Sequence, residues 1–288
     1  MNSLNIKSFF LTVFILVVFL VVWEVLLKAP PDAAVDPNLT EEEILLNSMV
    51  ASESEKARVP TPSEVYLQLK EDFQSPFLDA GPNDKGIGLH ILYSLTRVMA
   101  GFLAATLVAI PLGFVIGMSE LMFKALNPFI QLLKPVSPLA WMPLALFTLM
   151  PIHKVWGAEL ASSAVIFICC IWPMLLNTTF GVANVRKDWI KVAETHELGR
   201  IKTAFKVILP AAAPTIITGM RISIGIAWLV IVAVEMVSTN SGIGYYVWNE
   251  WNNLNLNSII VSILVIGIVG MILDLVLNAC SKMVVYEE

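Results

Sequence analysis

Three basic residues lie within or beside long apolar stretches of this sequence, namely Arg97, Lys134 and Arg221. A positive charge in apolar surroundings attracts anions, so each of the three is a candidate for contacting a small anion in transit. Each also fits a simpler role, because a basic side chain at the end of a membrane helix extends towards the polar interface. Lys134 is the only basic residue in its proline-rich stretch, where it marks either a pathway or the end of a membrane segment.

Side chains that commonly perform catalysis are present but scattered: His90, His153, His196, Cys169, Cys170 and Cys280. No pair of these residues has the spacing of a metal site, and the cysteines lie in or beside apolar stretches, where packing is their usual role. The chain has no GxxxxGK[ST] loop for nucleotide phosphates and no HExxH zinc motif. We therefore expect no metal, no cofactor and no enzymatic activity, including ATP hydrolysis, in this chain itself.

A charged island, Arg186 to Arg221, interrupts the apolar sequence, and between positions 186 and 206 it carries six Lys or Arg residues interleaved with three Asp or Glu residues. The apolar residues of the island recur at helical spacing, which predicts short amphipathic helices with a break at Leu198 and Gly199. Pro210 and Pro214 are expected to close the run. The island is either a surface that contacts a partner or a solvated loop without one.

The surrounding sequence is typical of a membrane protein. Of its 288 residues, 57% are hydrophobic and 14% are charged, whereas soluble domains have about 25% charged residues. Six apolar stretches are close to the ~20 residues needed to cross a bilayer, which predicts an all-α membrane protein with about six transmembrane helices. They are residues 9–27, 91–117, 129–150, 158–180, 211–238 and 259–277. The net charge of −5 does not indicate a nucleic-acid partner.

The third apolar stretch, residues 129–150, contains three prolines at positions 135, 138 and 143 and follows a fourth at 128. Prolines at this density predict a kinked, broken or re-entrant helix. Broken backbone at membrane depth is tolerated where it is packed in protein or lines a cavity. This stretch is therefore a candidate wall of a pathway through the protein.

Basic residues in the short loops set the expected orientation. The island is rich in Lys and Arg, whereas the aromatic and amide-rich loop 239–257 has none. The positive-inside rule therefore places the island in the cytoplasm, and counting the spans places both termini there as well. The acidic, hydrophilic segment that follows the first span then lies on the outer side.

We divide the chain into three parts: a first transmembrane anchor (1–28), a periplasmic acidic segment (29–89) and a membrane domain (90–279). Within the acidic segment, the sequence EVYLQLKEDF at residues 64–73 predicts an amphipathic helix. This segment either contacts an external partner or serves only as a tether.

Four segments resemble one family of membrane proteins: VAETHELGRIKTAFKVILPAAAPTIITGMRISIGIAWLVIVAVEM (192–236), SLTRVMAGFLAATLVAIPLGFVIGMS (94–119), KPVSPLAWMPLALF (134–147) and SGIGYYVWNEW (241–251). They are similar to the inner-membrane permease subunits of ABC importers, in the nitrate/sulfonate/bicarbonate branch. Within that branch they resemble nitrate- and bicarbonate-type permeases. The resemblance covers residues 90–277, and the occurrence of several motifs in the same order makes it specific.

The resemblance implies a type I ABC importer permease fold and a set of partners. Two permease copies, expected to be identical, would form the pathway within the membrane lipid. Two ABC ATPase subunits would bind on the cytoplasmic side, and a periplasmic or lipid-anchored solute-binding protein would bind outside. Residues 181–212 would form the cytoplasmic coupling loop, with its helix at about 192–198. The residues assigned to ATPase coupling are Ala193, Glu194, Leu198, Gly199 and Pro210.

The family pattern can be placed on this loop in two registers. It reads Glu-Ala-Ala, three residues, Gly, nine residues, then Ile-x-Leu-Pro. Counting back from residues 207–210 puts the glycine position on Glu197. Aligning on Gly199 instead puts Glu-Ala-Ala on residues 193–195.

Three functions compete at this point. The first is the permease subunit of an ATP-driven importer that moves a small anion across the inner membrane, with nitrate foremost and nitrite or bicarbonate as alternatives. The second is an ABC permease for a sulfonate or another organic solute. The third is a membrane scaffold that transports nothing and has no ATPase partner. The anionic nature of the solute is implied by the resemblance.

Overall fold

The computed structural model describes residues 3–27, 58–81, 85–153, 156–238 and 241–284. Its helices in chain order are α1 (Ser3–Leu27), α2 (Pro62–Asp72), α3 (Ile87–Gly117), α4 (Glu120–Leu133), α5 (Pro138–Leu149), α6 (Gly157–Ala183), α7 (Lys187–Thr195), α8 (Arg200–Thr203), α9 (Leu209–Ser238), α10 (Ile243–Asn252) and α11 (Leu256–Val284). A π-helical turn, Ala204–Ile208, joins α8 to α9. Much of the predicted acidic segment, residues 29–57 and 82–84, lies outside the described residues.

Five of these helices are long and apolar enough to cross a membrane, and α4 and α5 together supply a sixth candidate span. The prediction of an all-α membrane protein with about six spans is confirmed. The α4 and α5 axes meet at an angle of 92°. The break between them covers residues 134–137, so the proline-rich stretch forms the broken helix that its sequence predicts.

The centre of the bundle is the packing of α3 against α6, and α9 packs against both of them. Along α3, small residues recur at every fourth position: Gly101, Ala105, Ala109, Gly113 and Gly117. A Cβ atom at Gly113 would overlap the Thr178 side chain of α6, and one at Gly101 would overlap Ile166. Small residues at this spacing let two membrane helices approach closely, and here they set the distance between α3 and α6.

Helix α2 confirms the amphipathic helix predicted at residues 64–73, with its start two residues earlier. Its first turn carries a capping box in which the Thr61 hydroxyl accepts from the Glu64 N–H and the Glu64 carboxylate accepts from the Thr61 N–H. Glu24 of α1 accepts hydrogen bonds from the Ser63 N–H (3.2 Å) and the Ser63 hydroxyl (2.9 Å). These two bonds tie the first span to α2.

The expectation that Pro210 and Pro214 close the helical run of the island is wrong, because one helical segment continues from Arg200 to Ser238 with Pro214 inside it. The π-helical turn immediately before Pro210 explains the difference. There the Leu209 N–H donates to the carbonyl of Ala204, five residues earlier. The wider turn accommodates the proline ring, which would clash with the backbone of a regular α-helix.

The two ends of the bundle are built differently, and we name them by their residues. The basic end consists of residues 184–208, with α7, α8 and the π-helical turn. The aromatic end consists of residues 241–255, with α10 and the α2 helix beside it. Loop 239–257, which gave no helical signal in the sequence, contains the ten-residue helix α10.

Candidate functional site

The charged island forms two short helices at the basic end, α7 and α8, with a turn at residues 196–199 between them. The predicted break at Leu198 and Gly199 is therefore confirmed. Large apolar side chains on this surface are exposed to solvent: Trp189, Val192, Ile201 and Phe205. Exposed apolar residues among charges are typical of a surface that contacts another protein.

The five residues predicted to couple to an ATPase differ in accessibility. Glu194, Gly199 and Pro210 are exposed, and Leu198 is half-buried. Ala193 is 2% exposed, whereas the adjacent Val192 is 57% exposed. Ala193 therefore offers no free surface in this conformation. Helix α7 also begins at Lys187, five residues before the predicted start of the coupling helix.

The backbone of the turn distinguishes the two registers of the family pattern. Glu197 has a positive φ of 52°, which places it in the left-handed region that favours glycine. The next residue closes the turn, because the Leu198 N–H donates to the Ala193 carbonyl at 3.1 Å. Gly199 has φ −62° and ψ 155°, which any residue adopts. The geometry therefore favours the register in which Glu197 occupies the glycine position and Glu-Ala-Ala falls on residues 191–193.

Arg221, one of the three basic residues singled out in the spans, is paired with α11. Its guanidinium donates to both Asp274 carboxylate oxygens, with the shortest distance 2.9 Å, and to Asn278 Oδ1 at 3.2 Å. The pair is only partly shielded, since 35% of the Arg221 side chain and 54% of the Asp274 side chain are exposed. The positive charge of Arg221 is therefore offset by Asp274 within this chain.

Arg97 is buried at the aromatic end in a network that the sequence did not reveal. Its guanidinium pairs with Glu235 of α9, at 2.5 Å, and with Glu159 of α6. The side chains of Arg97 and Glu235 are 2% and 0% exposed. The second oxygen of Glu235 accepts from the Ser94 hydroxyl at 2.7 Å and from the Gly244 N–H at 3.0 Å. Ionic groups this deeply buried are stable only when their hydrogen bonds are satisfied, as they are here.

One face of α3 holds the turn that leads into α10. The residues at spacing i, i+4 and i+7 are His90, Ser94 and Arg97. His90 Nδ1 accepts from the Gly242 N–H at 3.0 Å, and Ser94 Oγ accepts from the Ile243 N–H at 2.8 Å. Arg97 donates to the Ser241 carbonyl at 2.7 Å. This polar face on an otherwise apolar helix is the sequence signal that would have identified the network.

Two glycines allow the turn to wrap around the buried carboxylate. Gly242 has φ 108°, and a Cβ atom there would overlap the carboxyl group of Glu235. A Cβ atom at Gly244 would overlap the Val232 carbonyl of α9. The segment SGIG therefore needs its glycines for a positive φ and for close approach.

Lys134 lies in the break between α4 and α5 and is exposed. Its ammonium group has no hydrogen bond or ion pair with any residue in the described part of the chain. It borders a pocket of about 160 Å³ whose other walls come from α5, α6 and α9. Of the three basic residues proposed to contact an anion, Lys134 differs from the other two in its uncompensated charge.

A polar pocket of about 260 Å³ lies beside α2 and α10 at the aromatic end. Burial raises the pKa of the Asp72 carboxyl and the pKa of the Glu250 carboxyl. The negative charge of Glu71 raises the pKa of Asp72 further, and that of Asp72 raises the pKa of Glu250. Burial also raises the pKa of the nearby Tyr246 hydroxyl, which donates to Asp72 at 3.4 Å. Lys85 and His90 complete the polar lining.

Among the described residues, no group of three or more His, Cys, Asp or Glu side chains is close enough to hold a metal ion. Cys170 makes a structural contact instead. Cys170 Sγ donates to the Ser223 carbonyl, and the Ser223 hydroxyl donates to the Cys170 carbonyl at 2.9 Å. This reciprocal pair links α6 to α9.

The sequence has clear relatives among transport proteins. Residues 109–285 match the family described as binding-protein-dependent transport system inner membrane component. The chain is 40% identical over 245 residues to the nitrate import permease protein NrtB of Synechocystis sp., covering 85% of this chain and 87% of that protein. It is 39% identical over 220 residues to the bicarbonate transport system permease protein CmpB of the same organism, covering 75% and 76%. It is 32% identical over 208 residues to the taurine transport system permease protein TauC of Escherichia coli, covering 70% and 73%.

The fold also matches a solved membrane protein. An inward-facing structure of the MetNI methionine ABC transporter superposes with a TM-score of 0.62, covering 69% of this chain and 98% of that one. The sequence identity in this match is 10%, so it supports the fold alone. Together with the sequence relatives, it supports the type I permease fold. The chain belongs to the family of binding-protein-dependent transport system inner membrane components.

Proposed function

We propose that this protein is the permease subunit of an ATP-driven importer that moves a small inorganic anion, nitrate or bicarbonate, across the inner membrane. The observation that carries the proposal is the similarity to permeases named for nitrate and for bicarbonate, which extends over three quarters or more of both chains. The family accounts for the transport role, and these relatives narrow the choice of solute to nitrate or bicarbonate. ATP hydrolysis belongs to a separate ABC ATPase subunit.

The basic end is the proposed docking surface for the ATPase. Trp189, Val192, Ile201 and Phe205 supply exposed apolar contacts between positive and negative charges. The proposed coupling residues Glu194, Leu198, Gly199 and Pro210 lie on the same side of the bundle. This assignment places the basic end and both termini in the cytoplasm, and the aromatic end outside, facing the solute-binding protein.

The continuous helix from Arg200 to Ser238 is the proposed lever between the two sides. Its 39 residues correspond to a length of about 58 Å at 1.5 Å per residue. It begins in the docking surface and carries Glu235 of the buried network near its other end. A displacement at α8 is therefore transmitted as a tilt of α9 relative to its neighbours. Coupling requires that the ATPase contact the basic end differently in its open and closed states.

The remaining assignments complete the importer. A second copy of this chain forms the other half of the pathway, within membrane lipid. Residues 1–28 form an anchor, residues 29–89 form an outer segment, and residues 90–279 form the permease domain with its coupling loop at 181–212. The exposed faces of the spans support a pair of copies, since a transport pathway needs walls on both sides.

A second candidate solute is an organic sulfonate. The similarity to the taurine permease favours it, at 32% identity over 70% of this chain. The two solute classes are separated by competition. In proteoliposomes holding the permease, its ATPase and its binding protein, we expect nitrate or bicarbonate to stimulate ATP hydrolysis and taurine to have no effect. Stimulation by taurine alone would overturn the choice of an inorganic anion.

The docking surface is tested by co-purification of the tagged chain with its ATPase in mild detergent. We expect Val192→Ser to reduce the bound ATPase about tenfold, because it removes an apolar contact at the centre of the surface. The control is Leu121→Ser on α4, which removes an apolar side chain outside the island that is even more exposed than Val192. If both variants retained equal amounts of the ATPase, the assignment of the basic end as the docking surface would be refuted. Absence of any ATPase with the unchanged chain would favour a membrane scaffold.

A further inference from the structure

The break between α4 and α5 lies at the middle of the membrane domain. The pocket beside Lys134 is bordered by Cys169 and Trp172 of α6 and by Ile226 of α9. These residues are near the centres of helices Gly157–Ala183 and Leu209–Ser238. Since both helices are candidate spans, the Lys134 ammonium is at mid-depth. The alternative that Lys134 marks the polar end of a span does not fit this position.

A lysine at this depth needs a polar environment. Charged side chains are costly at the centre of a bilayer, and they normally face a water-filled cavity or pair with an opposite charge. Arg97 and Arg221 are paired with carboxylates, whereas Lys134 has no such partner within the described part of the chain. The exposed face that carries Lys134 therefore faces a pathway and not acyl chains.

The pocket is suited to a small ion. Its volume of about 160 Å³ is about five times the ~30 Å³ that one water molecule occupies in the liquid. Apart from Lys134, its walls are mainly apolar and aromatic, including Trp141 and Trp172. A low-polarity wall strengthens the attraction between the ammonium and an anion. It also disfavours a strongly hydrated anion, because few groups replace the lost water.

We propose that Lys134 is the anion-contacting residue of the pathway and that the pocket at the α4–α5 break holds one small, singly charged inorganic anion in transit. This inference rests on the proposed function and adds a site to it. A single ammonium without further charged donors binds weakly, which suits an ion that must leave again. Two arginines in the spans are held by carboxylates, so the break supplies the positive charge that the pathway needs.

Transport with charge variants tests the site. Purified permease, ATPase and binding protein are reconstituted into proteoliposomes, and uptake of labelled nitrate is followed. We expect Lys134→Gln to reduce uptake about tenfold, since one favourable charge interaction is lost. Lys134→Arg should retain most of the nitrate uptake, because the positive charge is kept. The control is Lys124→Gln on α4, whose exposed ammonium pairs with Glu120 outside the pocket, and it should transport at the normal rate.

A chemical readout separates binding from folding. Cys169 borders the pocket, whereas Cys280 is exposed near the end of α11 and serves as an internal control. In the complete complex, we expect sodium nitrate to slow alkylation of Cys169 by N-ethylmaleimide at least about twofold relative to sodium gluconate, with Cys280 unaffected. The protection should disappear in Lys134→Gln. If Lys134 had only a structural role, Lys134→Gln would leave the nitrate protection of Cys169 unchanged.

The outcomes for the site and for the importer are distinct. If the unchanged complex transports nitrate or bicarbonate but Lys134→Gln retains normal uptake and normal protection of Cys169, the pocket is refuted and the importer stands. If the unchanged complex transports neither anion and shows no protection, the proposed function fails and the site fails with it. Loss of uptake in both Lys134→Gln and Lys134→Arg, with protection unchanged, would also refute the charge-based role.

Discussion

The aromatic end and the basic end solve opposite physical problems. At the aromatic end, Arg97 is buried between two carboxylates, and the neighbouring turn fills the remaining hydrogen bonds of Glu235. At the basic end, charged groups and apolar residues such as Ile201 and Phe205 are exposed. One end satisfies its own polar groups, and the other leaves surface for another molecule. In one chain, burial therefore marks the part that holds the spans together, and exposure marks the part that we propose to dock the ATPase.

The largest effect is expected from removing the buried arginine. Arg97→Met leaves Glu159 and Glu235 without their cation, and breaking a buried ion pair in this way costs about 3–5 kcal/mol. The matched control is Arg221→Met, whose partly exposed pair with Asp274 contributes about 1 kcal/mol or less. Thermal unfolding in detergent measures both. Equal losses in the two variants would show that burial does not distinguish the two arginines.

The next largest loss of stability is expected from changing the tightly packed turn that leads into α10. Gly244→Ala forces a methyl group onto the Val232 carbonyl, and we expect a loss of about 1–3 kcal/mol from the resulting shift. Gly267→Ala in α11 is the control, because its Cβ has open space and a helical alanine is favoured over glycine by up to about 1 kcal/mol. The two alanines should therefore move the unfolding temperature in opposite directions. A gain of stability in Gly244→Ala would contradict the overlap expected between the added methyl group and the Val232 carbonyl.

At the basic end, a stabilising change is expected. Glu197→Gly relieves a positive φ and should stabilise the turn after α7 by about 1 kcal/mol. Gly199→Ala should leave the turn unchanged or slightly stabilised, since its backbone is ordinary and its surroundings are open. Hydrogen exchange of the α7 amides reports this local stability. Slower exchange in Gly199→Ala than in Glu197→Gly would favour the other register of the coupling loop.

The smallest effect concerns the polar pocket at the aromatic end. Because the folded protein raises the pKa of Asp72, the charged form is disfavoured there. This contribution to stability is fully present below the unfolded pKa and is lost as the pH rises through the folded pKa. Asp72→Asn imitates the neutral form, so we expect a gain of at most about 0.5 kcal/mol at pH 8 and almost none at acidic pH. A larger gain at acidic pH would reverse the sign and refute the assignment.

Much of the fold was accessible to sequence reasoning because membrane spans have a simple physical signature. The apolar stretches, the prolines at 135, 138 and 143 and the helical spacing of the island each predicted the element that forms. Pro210 misled the prediction, because a π-helical turn is not signalled by composition. Glu159 was missed since a single acid at the start of a span is ambiguous, and only its distance to Arg97 reveals a partner.

The candidate site residues show the same limit of prediction from the sequence. Arg97, Lys134 and Arg221 are equivalent in the sequence, as three basic residues in apolar surroundings. Their positions in the fold separate them, because two find carboxylates from distant helices and one lies at the break with none in the described part of the chain. Likewise, Ala193 and Glu194 are neighbours in the predicted coupling helix, yet only Glu194 reaches the surface.

The amino-acid sequence by itself determined the family, the number of spans, the broken helix and the location of the charged loop. These follow from local composition and spacing, since a bilayer requires about 20 apolar residues for each helix and several prolines close together favour a break in a helix. The tertiary structure decided which charges are neutralised, which side chains are exposed and which helices surround Lys134. Those properties depend on residues more than 50 positions apart, such as Arg97, Glu159 and Glu235, which only packing of α3, α6 and α9 brings into contact.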